Sequence, residues 1–148
     1  MDVNAEIATN LSGQSIIVTG GTRGIGLGVV RVLARAGCSL MITGRKPARL
    51  ESVSEELTEQ KIPHRVMQAD VADPETSQAV AAATLEAFGR IDGLVANAQS
   101  YRPVTMLEDV TPRDFDLVVD TGPKGTLWLM QAVLPSMREQ GRGRIVTF

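Results

Sequence analysis

The chain is poor in the residues that staple, chelate or anchor a protein. It has one cysteine, Cys38, in 148 residues. That excludes a disulfide within the chain and makes a reducing, cytoplasmic setting the expectation. Cys38 follows Gly37 at the start of an apolar run, where a small buried side chain is expected rather than a reactive thiol. There is also one histidine, His64. One Cys and one His are too few soft ligands for a structural zinc site, so no metal is expected. No apolar stretch approaches the roughly 20 residues of a membrane span. The N-terminus carries Asp2 and Glu6 and lacks the basic-then-apolar order of a signal peptide, so residues 1–12 read as an N-terminal extension. Charge of one sign is lacking too. With 15 basic and 17 acidic residues the net charge is −2, which gives no reason to expect nucleic acid or an anionic membrane as a partner. Repeats, linkers and low-complexity segments are absent, and the length suits one domain.

What is present is a regular alternation. Short continuous apolar runs, the mark of strands buried on both faces, alternate with longer stretches of helical period. Ile16–Val18, Leu40–Ile42, Val66–Met67, Leu94–Ala96 and Ile145–Val146 read as five strands. Between the first two, Ile25, Gly28, Val29, Val32, Leu33 and Ala36 recur with helical spacing and predict the buried face of a helix that Gly37 stops. Pro47 opens a second helix with Leu50, Val53 and Leu57 inward. Asp73-Pro74-Glu75 reads as cap, first turn and favourable dipole charge of a third, running to about Phe88. Thr111-Pro112 opens a long fourth helix, with Phe115, Val118, Val119, Leu127, Met130, Leu134 and Met137 predicted inward and an interruption at Gly122-Pro123. The fold class that follows is α/β, a Rossmann-type doubly wound parallel sheet in a single, incomplete domain over residues 1–148.

The most informative run is Ile16 to Gly26, where an apolar strand passes through a glycine-rich turn straight into a helix. That arrangement suits a dinucleotide pyrophosphate. Gly20 allows the sharp exit from the strand, Gly24 a close approach of backbone to phosphate, and Gly26 close packing of helix on sheet. The helix N–H groups and positive dipole end then face the anion. At the end of the second strand stand Gly44, Arg45 and Lys46. Positive charge is disfavoured at a helix start, so a solvated role for these cations is the less comfortable reading.

Thr19-Gly20-Gly21-Thr22-Arg23-Gly24-Ile25-Gly26 resembles the cofactor signature of the short-chain dehydrogenase/reductases. The likeness continues through Asp70-Val71, Asn97-Ala98 and Gly141-Arg142-Gly143-Arg144-Ile145-Val146, in the family's order and spacing, over nearly the whole chain after residue 12. It implies oxidoreductase chemistry, hydride transfer between a nicotinamide and a carbonyl or alcohol. In that family an acidic residue after the second strand accepts from the ribose of NAD; here Gly44-Arg45-Lys46, with Arg23 in reach, point to NADP instead, with NAD less favoured. Asp70 resembles the residue that accepts from the adenine amino group, with the Val71 backbone beside the ring; as a bare residue it reads equally well as a turn cap. Asn97 resembles the asparagine that steadies the fourth strand, and Thr22, Ile25 and Ala98 complete the implied cofactor-binding set.

The resemblance departs on the reaction side. Ala96 and Gln99 replace an asparagine and a glycine, and Gly122 stands where the family has a catalytic asparagine. Phe148 falls on the fifth strand, ahead of the family's catalytic serine and its Tyr-x-x-x-Lys helix. Tyr101, the only tyrosine, has Thr105 four residues on, so it is no displaced copy. No catalytic residue is therefore assigned, and the chain alone is expected to bind cofactor without turnover. Two readings stay open: the NADP(H)-binding portion of an oxidoreductase, or a non-catalytic nucleotide-binding or regulatory module. The fifth strand reads as an uncovered edge, which predicts an oligomeric or association-prone product. Trp128 reads as core edge or as an anchor for helix-to-helix homo-oligomer contact, which the family resemblance implies for the long helix.

Overall fold

Five strands with almost no polar residue at their centres line up as the sequence requires. They are β1 (Ser15–Thr19), β2 (Ser39–Gly44), β3 (His64–Gln68), β4 (Gly93–Ala96) and β5 (Arg144–Thr147). All neighbours are parallel, in the order β3-β2-β1-β4-β5, with Val18 opposite both Ile42 and Val95. The computed structural model describes residues 10–101 and 106–148, so residues 1–9 of the expected extension, and Thr105, lie outside the described residues.

Because successive strand residues point to opposite faces, β1 feeds two cores. Ile16 and Val18 pack with Val30, Ala34, Leu50, Val53 and Leu57 from α1 (Gly24–Arg35) and α2 (Pro47–Glu59). Ile17 packs on the other face with Val80, Ala81, Leu129, Val133 and Met137 from α3 (Pro74–Phe88) and α5 (Gly125–Glu139). Helices thus cover both faces of a parallel sheet, the doubly wound arrangement expected. Cys38 lies in the first core, and burial pushes its thiol up to about 11, so it is inert near neutral pH.

The helix boundaries follow local chemistry. Asp73 caps α3 through the Glu75 N–H at 2.9 Å, and Gly89, at φ +71°, ends it. Thr111 and Asp114 form a reciprocal capping box at α4 (Pro112–Val119). The predicted interruption at Gly122-Pro123 is a π turn, Asp120–Lys124, that joins α4 to α5 without breaking the path. Proline has no N–H to offer and its ring crowds the carbonyl one turn back, so the helix widens locally by one residue.

Two helix faces differ from expectation. On α1 the buried residues are Gly26, Val30 and Ala34, while Ile25, Gly28 and Val32 face outward. The helix carries two adjacent apolar stripes, and the one holding Gly26 wins because only a glycine can seat that turn against the Gly20 carbonyl. On the long helix, Gly125, Leu129, Val133 and Met137 are buried, whereas Phe115 and Leu127 are exposed and Val118, Val119, Met130 and Leu134 only half-buried. The extra residue of the π turn rotates everything after it, so a face extrapolated through the interruption reaches Leu127 out of phase; Phe115 precedes the turn, on α4, which has no buried residue.

Candidate functional site

The carboxyl ends of β1, β2, β3 and β4 open into one cleft of about 620 Å³. All thirteen residues singled out from the sequence line it: Gly20, Thr22, Arg23, Gly24, Ile25, Gly26, Gly44, Arg45, Lys46, Asp70, Val71, Asn97 and Ala98. Residues from four separate segments meet because parallel strands place every strand-to-helix turn at the same edge of the sheet.

At the centre is the turn after β1. Gly20 sits at φ +65°, a conformation that other residues adopt only at a cost. A Cβ on Gly26 would lie 2.6 Å from Asn97 Nδ2 and collide with the Gly20 carbonyl oxygen, so the start of α1 and the end of β1 touch backbone to backbone. Asn97 fastens this junction. Its side-chain amide donates to the carbonyls of Thr19 (3.0 Å) and Gly20 (3.4 Å). Thr19, buried at the tip of β1, accepts at Oγ1 from the N–H groups of Asn97 and Ala98, each at 3.1 Å. Thr19, the first residue of the signature but not among the expected cofactor contacts, ties the loop after β4 to the glycine turn. The first turn of α1 contains no acidic residue and no side-chain cap, so its free N–H groups face the cleft.

One side of the cleft is cationic. Arg23, Arg45, Lys46 and Arg49 line it, and none of them pairs with a carboxylate among the described residues. Arg49 was not among the residues expected; it lies in the first turn of α2, directly after Arg45 and the N-cap Lys46, and so reaches the same cleft. The segment is braced from below. The Gly21 N–H donates to the Thr43 carbonyl (3.2 Å), the Ala69 N–H to the Gly44 carbonyl (3.1 Å), and Gln68 Nε2 to the Arg45 carbonyl (3.2 Å). The Thr22 side chain covers Gly44, leaving a Cβ there 2.9 Å from Thr22 Cγ2. Asp70 holds its own turn, accepting from the Ala72 N–H at 3.1 Å, and its exposed carboxylate also lines the cleft. Both readings of Asp70 are thus compatible in one side chain.

On the opposite side stand residues no local pattern announced: Gln99, Ser100, Tyr101, Thr121 and Phe148. The loop after β4 is docked on the π turn, where the Ser100 N–H donates to Thr121 Oγ1 at 2.9 Å and that hydroxyl donates to the Leu117 carbonyl at 2.7 Å. Tyr101 is 78% exposed at the rim. His64 starts β3, the outer strand on the Asp70 side, hydrogen-bonded to Ser54 Oγ (2.9 Å) and the Ile62 carbonyl (2.8 Å). A strand's first residue in a parallel sheet is remote from a site at the strand ends. Among the described residues no cluster of His, Cys, Asp and Glu is placed to hold a metal, and no helix is long and apolar enough to cross a membrane.

A five-stranded parallel sheet with a glycine turn and a cleft at its switch point defines a dinucleotide-type α/β protein. The sequence pattern of the short chain dehydrogenases matches residues 14–148, and the chain belongs to that family. It is 37% identical to sulfoacetaldehyde reductase 2 of Chromohalobacter salexigens over 128 residues, 86% of this chain and 50% of the relative. It is 32% identical to L-fucose dehydrogenase of Bos taurus over 141 residues, 95% of this chain and 50% of the relative. Among solved structures it is similar to a metagenomic short-chain oxidoreductase in complex with NADP, with a TM-score of 0.86 and 31% identity, covering 93% of this chain and 62% of that one. The chain spans about half the length of the curated relatives it matches.

Proposed function

We propose that residues 1–148 form the NADP(H)-binding domain of a short-chain oxidoreductase, with residues 1–12 as an extension. The observation that carries this reading is the set of cations, Arg23, Arg45, Lys46 and Arg49, that pair with no carboxylate among the described residues, around a glycine at position 44. A phosphate monoester near pH 7 carries about −1.5 to −2 charges, and a guanidinium fork is a strong partner for it. An acidic side chain at position 44 would repel that group, and none is there. The solved relative in complex with NADP supports the same choice.

In this reading the pyrophosphate lies on the turn Gly20–Gly26 against the free N–H groups of α1. Arg23, Arg45, Lys46 and Arg49 receive the 2′-phosphate, Asp70 accepts from the adenine amino group, and Val71 flanks the ring. Asn97 and Ala98 hold the turn in shape. The residues fit the cofactor: nothing lies within 4 Å of the Cβ position of Gly24, so a phosphate can approach the turn there, and the donor set matches its charge. When bound, NADP(H) supplies hydride exchange with a carbonyl or alcohol substrate.

Arg45→Ala is expected to cost roughly 1.5–3 kcal/mol of NADPH affinity, the worth of a hydrogen bond to a charged group. NADH affinity should stay nearly constant, because NADH has no 2′-phosphate. Calorimetric titration of both cofactors checks this, and an equal loss for the two would make Arg45 a structural residue. We place homo-oligomer contact on α4 and α5, where Phe115 and Leu127 remain exposed. Sedimentation at tens of micromolar should then give a dimer or larger, and Phe115→Asp should shift it towards monomer; a wild-type monomer at that concentration sinks the assignment.

A further inference from the structure

Gly122 lies in the π turn beside the cleft, and the space above its Cα is taken. A Cβ built there would be 3.0 Å from Gln99 Nε2, 3.4 Å from its Cδ and 3.7 Å from its Cγ. The carboxamide of Gln99 therefore occupies the volume that a side chain at position 122 would enter. The two positions come from different segments, the loop after β4 and the helix pair α4–α5. One lacks a side chain where the other reaches across.

The Gln99 backbone is fixed on both sides. The Ala98 N–H is held by Thr19 Oγ1 at 3.1 Å and the Ser100 N–H by Thr121 Oγ1 at 2.9 Å. Both hydroxyls belong to buried threonines, and neither can follow a moving loop. Yet the carboxamide so positioned makes no hydrogen bond with any described residue, and it lines the cleft. A glutamine amide offers two donors and an acceptor. Here the exposed carboxamide, on a fixed backbone, leaves them open to a ligand in the cleft.

Strand order says which part of a ligand. Arg45 and Asp70 follow β2 and β3, on one side of the glycine turn; Gln99 follows β4, on the other. A dinucleotide with its pyrophosphate on the turn and its phosphorylated ribose among the cations must lay its other half over β4. We infer that Gln99 is a cofactor-contacting residue whose carboxamide hydrogen-bonds the nicotinamide half of the dinucleotide, supplied from the β4 loop in place of a side chain at Gly122. The inference rests on the NADP(H) reading above.

Two probes separate the halves: NADPH, and 2′-phospho-ADP-ribose, which lacks the nicotinamide. Each is titrated calorimetrically into the 148-residue chain and into Gln99→Ala, Gln99→Leu, Gly122→Asn and the Gln99→Ala/Gly122→Asn double variant, with thermal melts confirming that each is folded. Both Gln99 variants should lose about tenfold in NADPH affinity, the equivalent of one hydrogen bond. Their affinity for 2′-phospho-ADP-ribose should stay within twofold of wild type. Gly122→Asn alone should weaken NADPH, because its carboxamide and that of Gln99 claim one volume. The double variant should recover to within threefold of wild type. Equal losses for both probes, or unchanged NADPH binding in the two Gln99 variants, overturns the inference while leaving the cofactor reading in place. A wild-type chain that binds neither probe sinks both.

Discussion

Gly26→Ala and Gly28→Ala, two residues apart on one helix, are expected to change the protein in opposite directions. At Gly26 the new methyl meets backbone, the Gly20 carbonyl, and the Asn97 amide at 2.6 Å. Backbone cannot rotate away as a side-chain tip can, so the turn must open. Overpacking of this kind costs typically about 1–3 kcal/mol of stability. Opening the turn also lengthens the Asn97–Gly20 hydrogen bond and misaims the N–H groups of α1. Losing two hydrogen bonds to phosphate, each worth about 1.5–3 kcal/mol, lowers NADPH affinity by about 100-fold or more. Gly28 faces outward with nothing within 4 Å of its Cβ position. There alanine should stabilise by about 0.5–1 kcal/mol through helix propensity, with cofactor affinity unchanged. Urea titration and calorimetry read both quantities. If the two substitutions behaved alike, the close seating of α1 on the glycine turn would be wrong.

Asp92 should be the most sensitive charged residue for stability. It is 5% exposed at the amino edge of the sheet, where three strands begin. Its Oδ2 accepts from the Ser15 N–H of β1 at 3.0 Å, and Arg90 closes a two-point pair on it at 2.6 Å, with Arg142 at 3.5 Å. The Arg144 N–H of β5 donates to its backbone carbonyl at 2.9 Å. Burial alone pushes this carboxyl upward. The Arg90 hydrogen bond, the Ser15 N–H and the charges of Arg90 and Arg142 outweigh it and hold the group below the usual carboxylate range.

Breaking a buried pair costs roughly 3–5 kcal/mol. Asp92→Ala is expected near the lower end, about 3 kcal/mol, because Arg90 is a third exposed and can turn to water while the Ser15 N–H stays stranded. Asp92→Asn keeps an acceptor for Ser15 and should cost about half as much. The pH dependence has a definite sign. A carboxyl depressed in the folded state stabilises above its unfolded pKa, about 3.9, and that contribution fades as pH falls through the folded value. The gap in urea midpoint between wild type and Asp92→Asn should therefore be full at pH 7 and narrow progressively below about pH 4. A constant gap down to pH 2 would show that the carboxylate charge contributes nothing.

The sequence by itself determined the strands, the turns and the family. The inner strands β2, β1 and β4 are buried on both faces, so each must be a continuous apolar run, and all five strands stand where the short apolar runs stand. The glycine turn, the Asp73 cap and the start of α4 at Thr111-Pro112 are local chemistry, fixed by residues next to one another. For the same reason the thirteen residues singled out converge on one cleft: each lies at or just after the end of a strand or at the start of the next helix, and a parallel sheet brings those points to one edge.

Tertiary structure alone decided how helices turn and what meets across the cleft. Ile25 and Val32 were as apolar as Val30, and only the contact of Gly26 with the Gly20 carbonyl chose between the stripes of α1. A single extra residue in the π turn rotated Leu127 away from the α5 core, a phase change that no periodicity fitted across the break can contain. The clamps of Thr19 and Thr121 on the β4 loop, and the exchange between Gln99 and Gly122, join segments far apart in sequence. Their partners become neighbours only once the sheet has set the strand order, because hydrogen bonds and steric exclusion act over a few ångströms in space and leave no spacing in the chain to read.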